Sequence, residues 1–186
     1  SDLKACTAIS KKYGINMKSI VFPRNQIQNN YFETCKGNGY LAYRGTPEHW
    51  AYQTESRAAR STKNRLFRLV DAYLPLSGSL RQYPEADTKT GLLNIPASLF
   101  FRPYSKKLFI IEKIKLLRIK WSMSRTAKKG GVLHIWWHPH NFGQHMHENL
   151  RQIEDLLRHY HFLNKKYNFK STTIEQAASR FLEENK

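Results

Sequence analysis

The sequence is poor in cysteine, in acid and in long apolar runs. Cys6 and Cys35 are its only two cysteines; they make no disulfide framework and have no zinc-ligand spacing. No run approaches the ~18 uncharged apolar residues of a membrane-spanning helix, and no signal-peptide pattern is present. Internal repeats and low-complexity linkers are absent as well. Asp and Glu total 14 against 31 Lys and Arg, a formal net charge of +17. That excess implies attraction to polyanions: nucleic acid, acidic lipid headgroups or phosphorylated carbohydrate. The cations are spread along the chain, with clusters at 57–68, 106–120 and 165–170. No arginine-rich arm, zinc finger or aromatic RNA-binding motif accompanies them, so nucleic acid is the least favoured partner. A solvated surface is one reading of each cluster, and a face for a membrane or an anionic substrate is another.

What is present suffices for a buried core. Apolar residues make up 40% of 186 residues, the size of one domain or a large piece of one. A helix is expected over 2–13, with Gly14 as its stop. "SIVFP" (19–23) reads as a short strand ended by proline. A helix over 25–36 follows, then Gly37 and Gly39, then "YLAYRG" (40–45) as the next strand. Over 55–73 the positions Leu66, Leu69, Val70 and Tyr73 recur at three- and four-residue steps. They predict an amphipathic helix with an arginine-rich outer face, broken by Pro75 and Gly78.

Residues 80–91 read as a polar loop, and "LLNIPAS" as an extended segment ahead of "LFFRPYS". A long basic helix over 106–129 carries Leu108, Ile111, Ile114, Leu117, Ile119 and Trp121, and Gly130 and Gly131 end it. "VLHIWWH" (132–138) is a strand stopped by Pro139. A helix spans 149–167, and Thr172-x-x-Glu175 is a capping box that opens a last helix. Helices alternating with buried-type strands mean a parallel α/β sheet or barrel. In such folds the functional side chains sit where strands end.

One such end is dense in imidazole. "GGVLHIWWHPHNFGQHMHENL" (130–150) holds five of the eight histidines and two of the four tryptophans. Alternation along a strand puts His134, Trp136 and His138 on one face and Leu133, Ile135 and Trp137 on the other. His138 then stands at the strand end with Trp136 one layer below, an imidazole suited to proton transfer beside an aromatic wall. His134, deeper in the strand, is expected in the core. Asn141 offers a polar ligand both a donor and an acceptor. A metal site drawn from His138, His140, His145 and His147 is a rival reading, although Glu148 is the only acid nearby. Imidazoles merely hydrogen-bonded in a polar setting are the third reading, chiefly for His145, His147, His159 and His161.

"VFPRNQ", "GYLAYRG" followed by Trp50, "NIPASLFFRPY" and "HIWWHPHNFG…ENL" together resemble the C-terminal half of bacterial polysaccharide deacetylases of the NodB-homology type. The order and approximate spacing match across nearly the whole chain. The resemblance implies an α/β fold, part of a distorted (β/α)7-type barrel. It also implies hydrolysis of N-acetyl groups on a polysaccharide or a lipid-linked sugar precursor. A divalent metal, usually zinc, is held in that family by an aspartate and two histidines, and a second aspartate serves as base.

By this resemblance His138 takes the place of the late-strand histidine, the acid for the leaving amine. Trp136 matches the position lining the acetyl-methyl pocket, and His140 and Asn141 are further substrate-binding candidates. Trp50 matches the tryptophan of the family's fourth motif, but the aspartate usual there is replaced by Glu48 alone. "VFPRNQ" stands in the place of the third motif, where Val21 occupies the arginine position. Arg24, after the proline, is then the candidate to pair with the base aspartate and hold its pKa low. Arg102 of "FFRPY" is a candidate for binding substrate or phosphate.

The family's Thr-Phe-Asp-Asp-Gly motif and its His-Ser/Thr-x-x-His motif are absent, so no residue of this chain is assigned as a metal ligand. Residues 1–186, beginning at Ser1, are therefore expected to be a single partial domain, inactive alone. Its incomplete sheet should expose strand edges and apolar surface. The implied partners are an acetylated carbohydrate and an anionic membrane surface or phosphorylated lipid-linked sugar. The implied location is the bacterial cytoplasm or its membrane. Two alternatives stay open: a basic, non-enzymatic module for nucleic acid or anionic membrane, and a degenerate deacetylase homologue that only binds carbohydrate.

Overall fold

The computed structural model describes residues 2–47, 49–52 and 61–185, with Arg24 as backbone alone. In chain order the helices are α1 (Asp2–Lys12), α2 (Phe32–Gly37), α3 (Thr62–Asp71), α4 (Glu112–Lys129), α5 (Met146–Tyr167) and α6 (Ile174–Glu184). The strands are β1 (Ser19–Ile20), β2 (Ala42–Tyr43), β3 (Glu85–Ala86), β4 (Leu93–Asn94), β5 (Leu99–Phe100) and β6 (Ile135–Trp136). The chain is mixed α/β and divides into two compact units. Among the described residues the strands form two open sheets and no closed barrel. No described helix is long and apolar enough to cross a membrane.

The first unit comprises 1–46, 83–96 and 172–186. Its sheet runs in the order β1-β2-β4-β3, with β1, β2 and β4 parallel and β3 antiparallel at the edge. β3 lies inside the stretch expected to be only a loop. Asp87 Oδ1 accepts from the backbone N–H of Thr90 at 2.8 Å and from its hydroxyl at 2.7 Å. This side-chain turn folds 85–86 back onto β4. The helix expected over 25–36 starts late. Pro23 opens a single 3-10 turn, Pro23–Asn25, which Asn25 closes at φ 54°, and α2 begins only at Phe32. Asn is among the few residues that enter this left-handed region readily. Phe22, Phe32 and Tyr43 pack ring on ring over buried Cys35 and Leu92.

The last helix has its capping box one residue later than expected. Thr173, not Thr172, is the N-cap: its Oγ1 accepts from Gln176 N at 3.2 Å, and Gln176 Oε1 accepts from Thr173 N at 3.0 Å. The Thr173 pair leaves Ile174 as the first helical residue and Ala178 buried, with α6 beside β2.

The second unit comprises 47–82 and 97–171. β5 and β6 pair in parallel, with Leu99 opposite Ile135 and Phe100 opposite Trp136. α4 lies along α5, and Leu99, Phe101, Ile119, Met123, Phe142, Leu156 and Leu163 fill the core. β6 is shorter than the strand read over 132–138. Val132 bridges to Gln82 in the antiparallel sense, and Pro139 opens a 3-10 turn.

α3 corrects the periodicity reading. Of its four apolar positions Tyr73 is buried as expected, but Leu66, Leu69 and Val70 are exposed, and Asn64 and Asp71 are buried instead. Ion pairing at Asp71 turns the polar side of the helix inward. Residues 55–60 of the predicted helix lie outside the described residues.

Candidate functional site

The alternation expected for 132–138 is present. Leu133 and Ile135 pack on the core, and Trp137 stacks on buried Phe142 with centroids 5.9 Å apart. Trp136 and His138 face the other way. Their rings meet edge to face at 5.4 Å, and Phe100 of β5 lies 4.7 Å from Trp136 and 5.9 Å from His138. His138 stacks on His140 at 5.2 Å. Asn141 joins through its backbone N–H, which donates to the His138 carbonyl at 3.0 Å. The C-terminal ends of two parallel strands thus present Phe100, Trp136, His138 and His140 as one aromatic group, with both imidazoles exposed. His134 is half-buried rather than in the core, and its N–H donates to Ser98 Oγ at 2.9 Å.

The segments leaving these strands are held from α4 and α5. Asn149 of α5 is fully buried. Its Oδ1 accepts from Tyr104 N at 2.6 Å, and its Nδ2 donates to the carbonyls of Gln144 at 3.0 Å and Phe142 at 3.4 Å. One amide therefore ties the chain after β5 to the chain after β6. From α4, Lys115 Nζ donates to the Arg102 carbonyl at 2.9 Å and pairs with Glu112 at 2.6 Å. Gln152 and Tyr73 also donate to Glu112, at 2.7 and 3.3 Å.

A second buried group centres on Asp71. Its carboxylate accepts from Tyr52 Oη at 2.5 Å, Ser77 N at 2.7 Å, Ser77 Oγ at 2.8 Å and Arg118 Nη2 at 3.0 Å. Burial pushes the Asp71 carboxyl up, but the Tyr52 and Ser77 donors and the Arg118 charge together bring it below the usual carboxylate value. Burial and Glu112 push the Tyr73 phenol up to about 12, and burial together with Asp71 raises that of Tyr52. Burial lowers Lys115 against the pull of Glu112. Arg118 Nε and Nη1 and Ser122 Oγ, on the same face of α4, find no partner among the described residues.

The residues expected from sequence are brought together in part. His138, Trp136, His140 and Asn141 share one strand end. Arg102 stands where its charge acts on Tyr52, Tyr73 and Lys115. Trp50 sits in a separate ring group with His49 at 5.4 Å and Phe67 at 5.1 Å. Glu48 lies outside the described residues. Arg24 belongs to the first unit, and only its backbone is described.

Sequence reasoning missed Phe100, Asn149 and the buried charges. A signal existed: Glu112, Lys115, Arg118 and Ser122 recur at three- and four-residue steps along one helix. That stripe lies opposite Ile114, Leu117 and Trp121, and a helix packed on one side cannot bury both.

The described residues do not supply the donor set of the implied metal. Among the described residues no group of three His, Cys, Asp or Glu side chains could hold an ion. Asp71 and Glu112 are occupied by their own ion pairs. No family model, curated protein or solved structure matches the chain.

Proposed function

We propose that this chain supplies the acid and acyl-pocket side of a polysaccharide N-deacetylase, its strands belonging to a distorted (β/α)7-type barrel. The substrate class is an N-acetylated sugar in a polysaccharide or a lipid-linked precursor. The observation that carries the reading is the His138–Trp136–Phe100 group at the C-terminal ends of two parallel strands. Such ends are where α/β folds place chemistry. The metal and base of the proposed reaction are assigned to motifs this chain does not contain.

The chain's own part is simple. Trp136 and Phe100 give the acetyl methyl an apolar wall. As the C–N bond breaks, protonated His138 gives its proton to the departing amine nitrogen, and acetate leaves with the oxygen of water. His140 stacks on His138 and limits its rotation. Exposure of the imidazole lets it regain a proton from solvent.

The test is acetate release from N-acetylated oligosaccharides by a protein carrying this chain together with the aspartate and histidine motifs. His138→Ala is expected to lower turnover about 10²–10⁴-fold at unchanged metal content. Metal lost in step with activity would make His138 a ligand instead, and undiminished turnover would remove the acid role.

A further inference from the structure

α4 is apolar on two sides. Its inward face buries Ile119 and Met123 together with the polar Glu112, Lys115, Arg118, Ser122 and Thr126. Its outward face carries Ile114, Leu117 and Trp121, at steps of three and four residues, and the turn before it adds Phe109 and Ile110. Ile110 is 74% exposed, Leu117 64% and Trp121 41%. A contiguous apolar stripe this open on a helix marks an interaction surface rather than scattered surface leucines.

The charges around the stripe name the occupant. Residues 106–129 contain nine Lys or Arg and one acid, Glu112. Glu112 is buried and paired, as are Lys115 and Arg118, and Lys120 is paired with Asp155 of α5 at 2.6 Å. Lys106, Lys107, Lys113, Arg125, Lys128 and Lys129 remain to flank the apolar residues, with the Arg125 guanidinium 5.0 Å from the Trp121 ring centre. A second copy of the same face would bring six cations against six. Nucleic acid would satisfy the cations but leave Ile110, Ile114 and Leu117 in water. An anionic bilayer takes both: acyl chains accept the stripe while acidic headgroups meet the cations. The indole of Trp121 suits the depth between them.

We propose that α4 and the turn before it form an in-plane docking surface for an anionic membrane. The helix lies parallel to the bilayer, with Ile110, Ile114, Leu117 and Trp121 below the headgroups. The surface is independent of the deacetylase reading and stands or falls without it.

The test uses the full chain and vesicles of phosphatidylcholine alone or mixed with phosphatidylglycerol, read by co-sedimentation. Binding is expected to the mixed vesicles only. Leu117→Gln with Trp121→Gln should weaken it at least about tenfold, and Lys113→Gln with Lys128→Gln about fivefold per cation at low salt. All four positions are exposed, and unchanged circular dichroism confirms that the variants fold. Absence of binding to mixed vesicles overturns the proposal, as does binding that the Leu117/Trp121 pair leaves unchanged. Salt-steep DNA binding in place of vesicle binding would assign the cations to nucleic acid. Self-association in place of vesicle binding, abolished by the Leu117/Trp121 pair, would assign the stripe to a second copy; each overturns the proposal.

Discussion

Arg118 and Asp71, 47 residues apart in sequence, meet at 3.0 Å with side chains 1% and 0% exposed. This ion pair ties the end of α3 to α4 and explains why the apolar side of α3 faces water. A buried ion pair is weak evidence for stability as a pair, but removing one partner strands a charge. Arg118→Met is therefore expected to cost about 3–5 kcal/mol. Arg118→Met combined with Asp71→Asn should recover much of that. Urea unfolding at neutral pH measures both, and a single variant within about 1 kcal/mol of the parent would show that the pair is not closed in solution.

The same carboxyl makes an acid transition. Asp71 sits below its ordinary value of 3.8 in the folded chain, so between the two values the unfolded chain binds the proton and the folded one does not. Its contribution is complete above 3.8 and is lost as pH falls through the folded value. Unfolding free energy followed into acid should fall with a component that Asp71→Asn lacks. The gap between parent and variant should close at the acid end, and a gap independent of pH would contradict the depressed carboxyl.

In the first unit, Gly45 follows β2 where the Asn94 side chain of β4 crosses it. A Cβ placed on Gly45 would collide with the Asn94 amide. The backbone of Gly45 is not in the left-handed region, so the requirement is space alone. Gly45→Ala is expected to destabilise by about 1–3 kcal/mol. The same change on an Asn94→Ala background should cost much less. A double-mutant cycle with no coupling would place the amide elsewhere.

How much of this was legible beforehand depends on which forces were local. The alternation of Leu133, Ile135 and Trp137 against Trp136 and His138 follows from strand geometry alone, and it holds. α1, α5 and α6 follow from periodicity and caps, with the last cap displaced by one residue because Thr172 and Thr173 are both able to serve. The inward face of α3 departs from the periodicity because side chains outside the helix choose it: Arg118 and Tyr52, 47 and 19 residues from Asp71, and Ser77 just beyond the helix end. Hydropathy assigned Leu66, Leu69 and Val70 to the interior, and charge pairing put Asp71 there instead. The charged part of α4's buried face is obscured for the same reason, since a Lys or Glu is counted as solvated until its counter-charge is known, and only the spacing of Glu112, Lys115, Arg118 and Ser122 hints at it. β3 was hidden because a side-chain turn at Asp87, not β-propensity, makes it. His138 and Trp136 stand together at the strand end as strand alternation requires, and Phe100 joins them only through the β5–β6 register.

Asn149 offers the clearest link between the fold and the strand-end group. It is fully buried and uses both ends of its amide, accepting from Tyr104 N and donating to the carbonyls of Gln144 and Phe142. Leucine has the same branching, with bulkier methyl ends, and none of these bonds. Asn149→Leu therefore leaves a buried N–H and two carbonyls unpaired at about 1–3 kcal/mol for each group that cannot reach water. The loss should be local before it is global. Hydrogen exchange at the Tyr104 amide is expected to speed up more than exchange along α4, because Tyr104 N loses its acceptor while α4 keeps its ladder. The turn carrying His138 and His140 runs into the Phe142–Gln144 segment that Asn149 holds, so the imidazole signals should shift in the same variant. Protection at Tyr104 unchanged from the parent would mean that another acceptor holds the segment and that Asn149 does not set the loop.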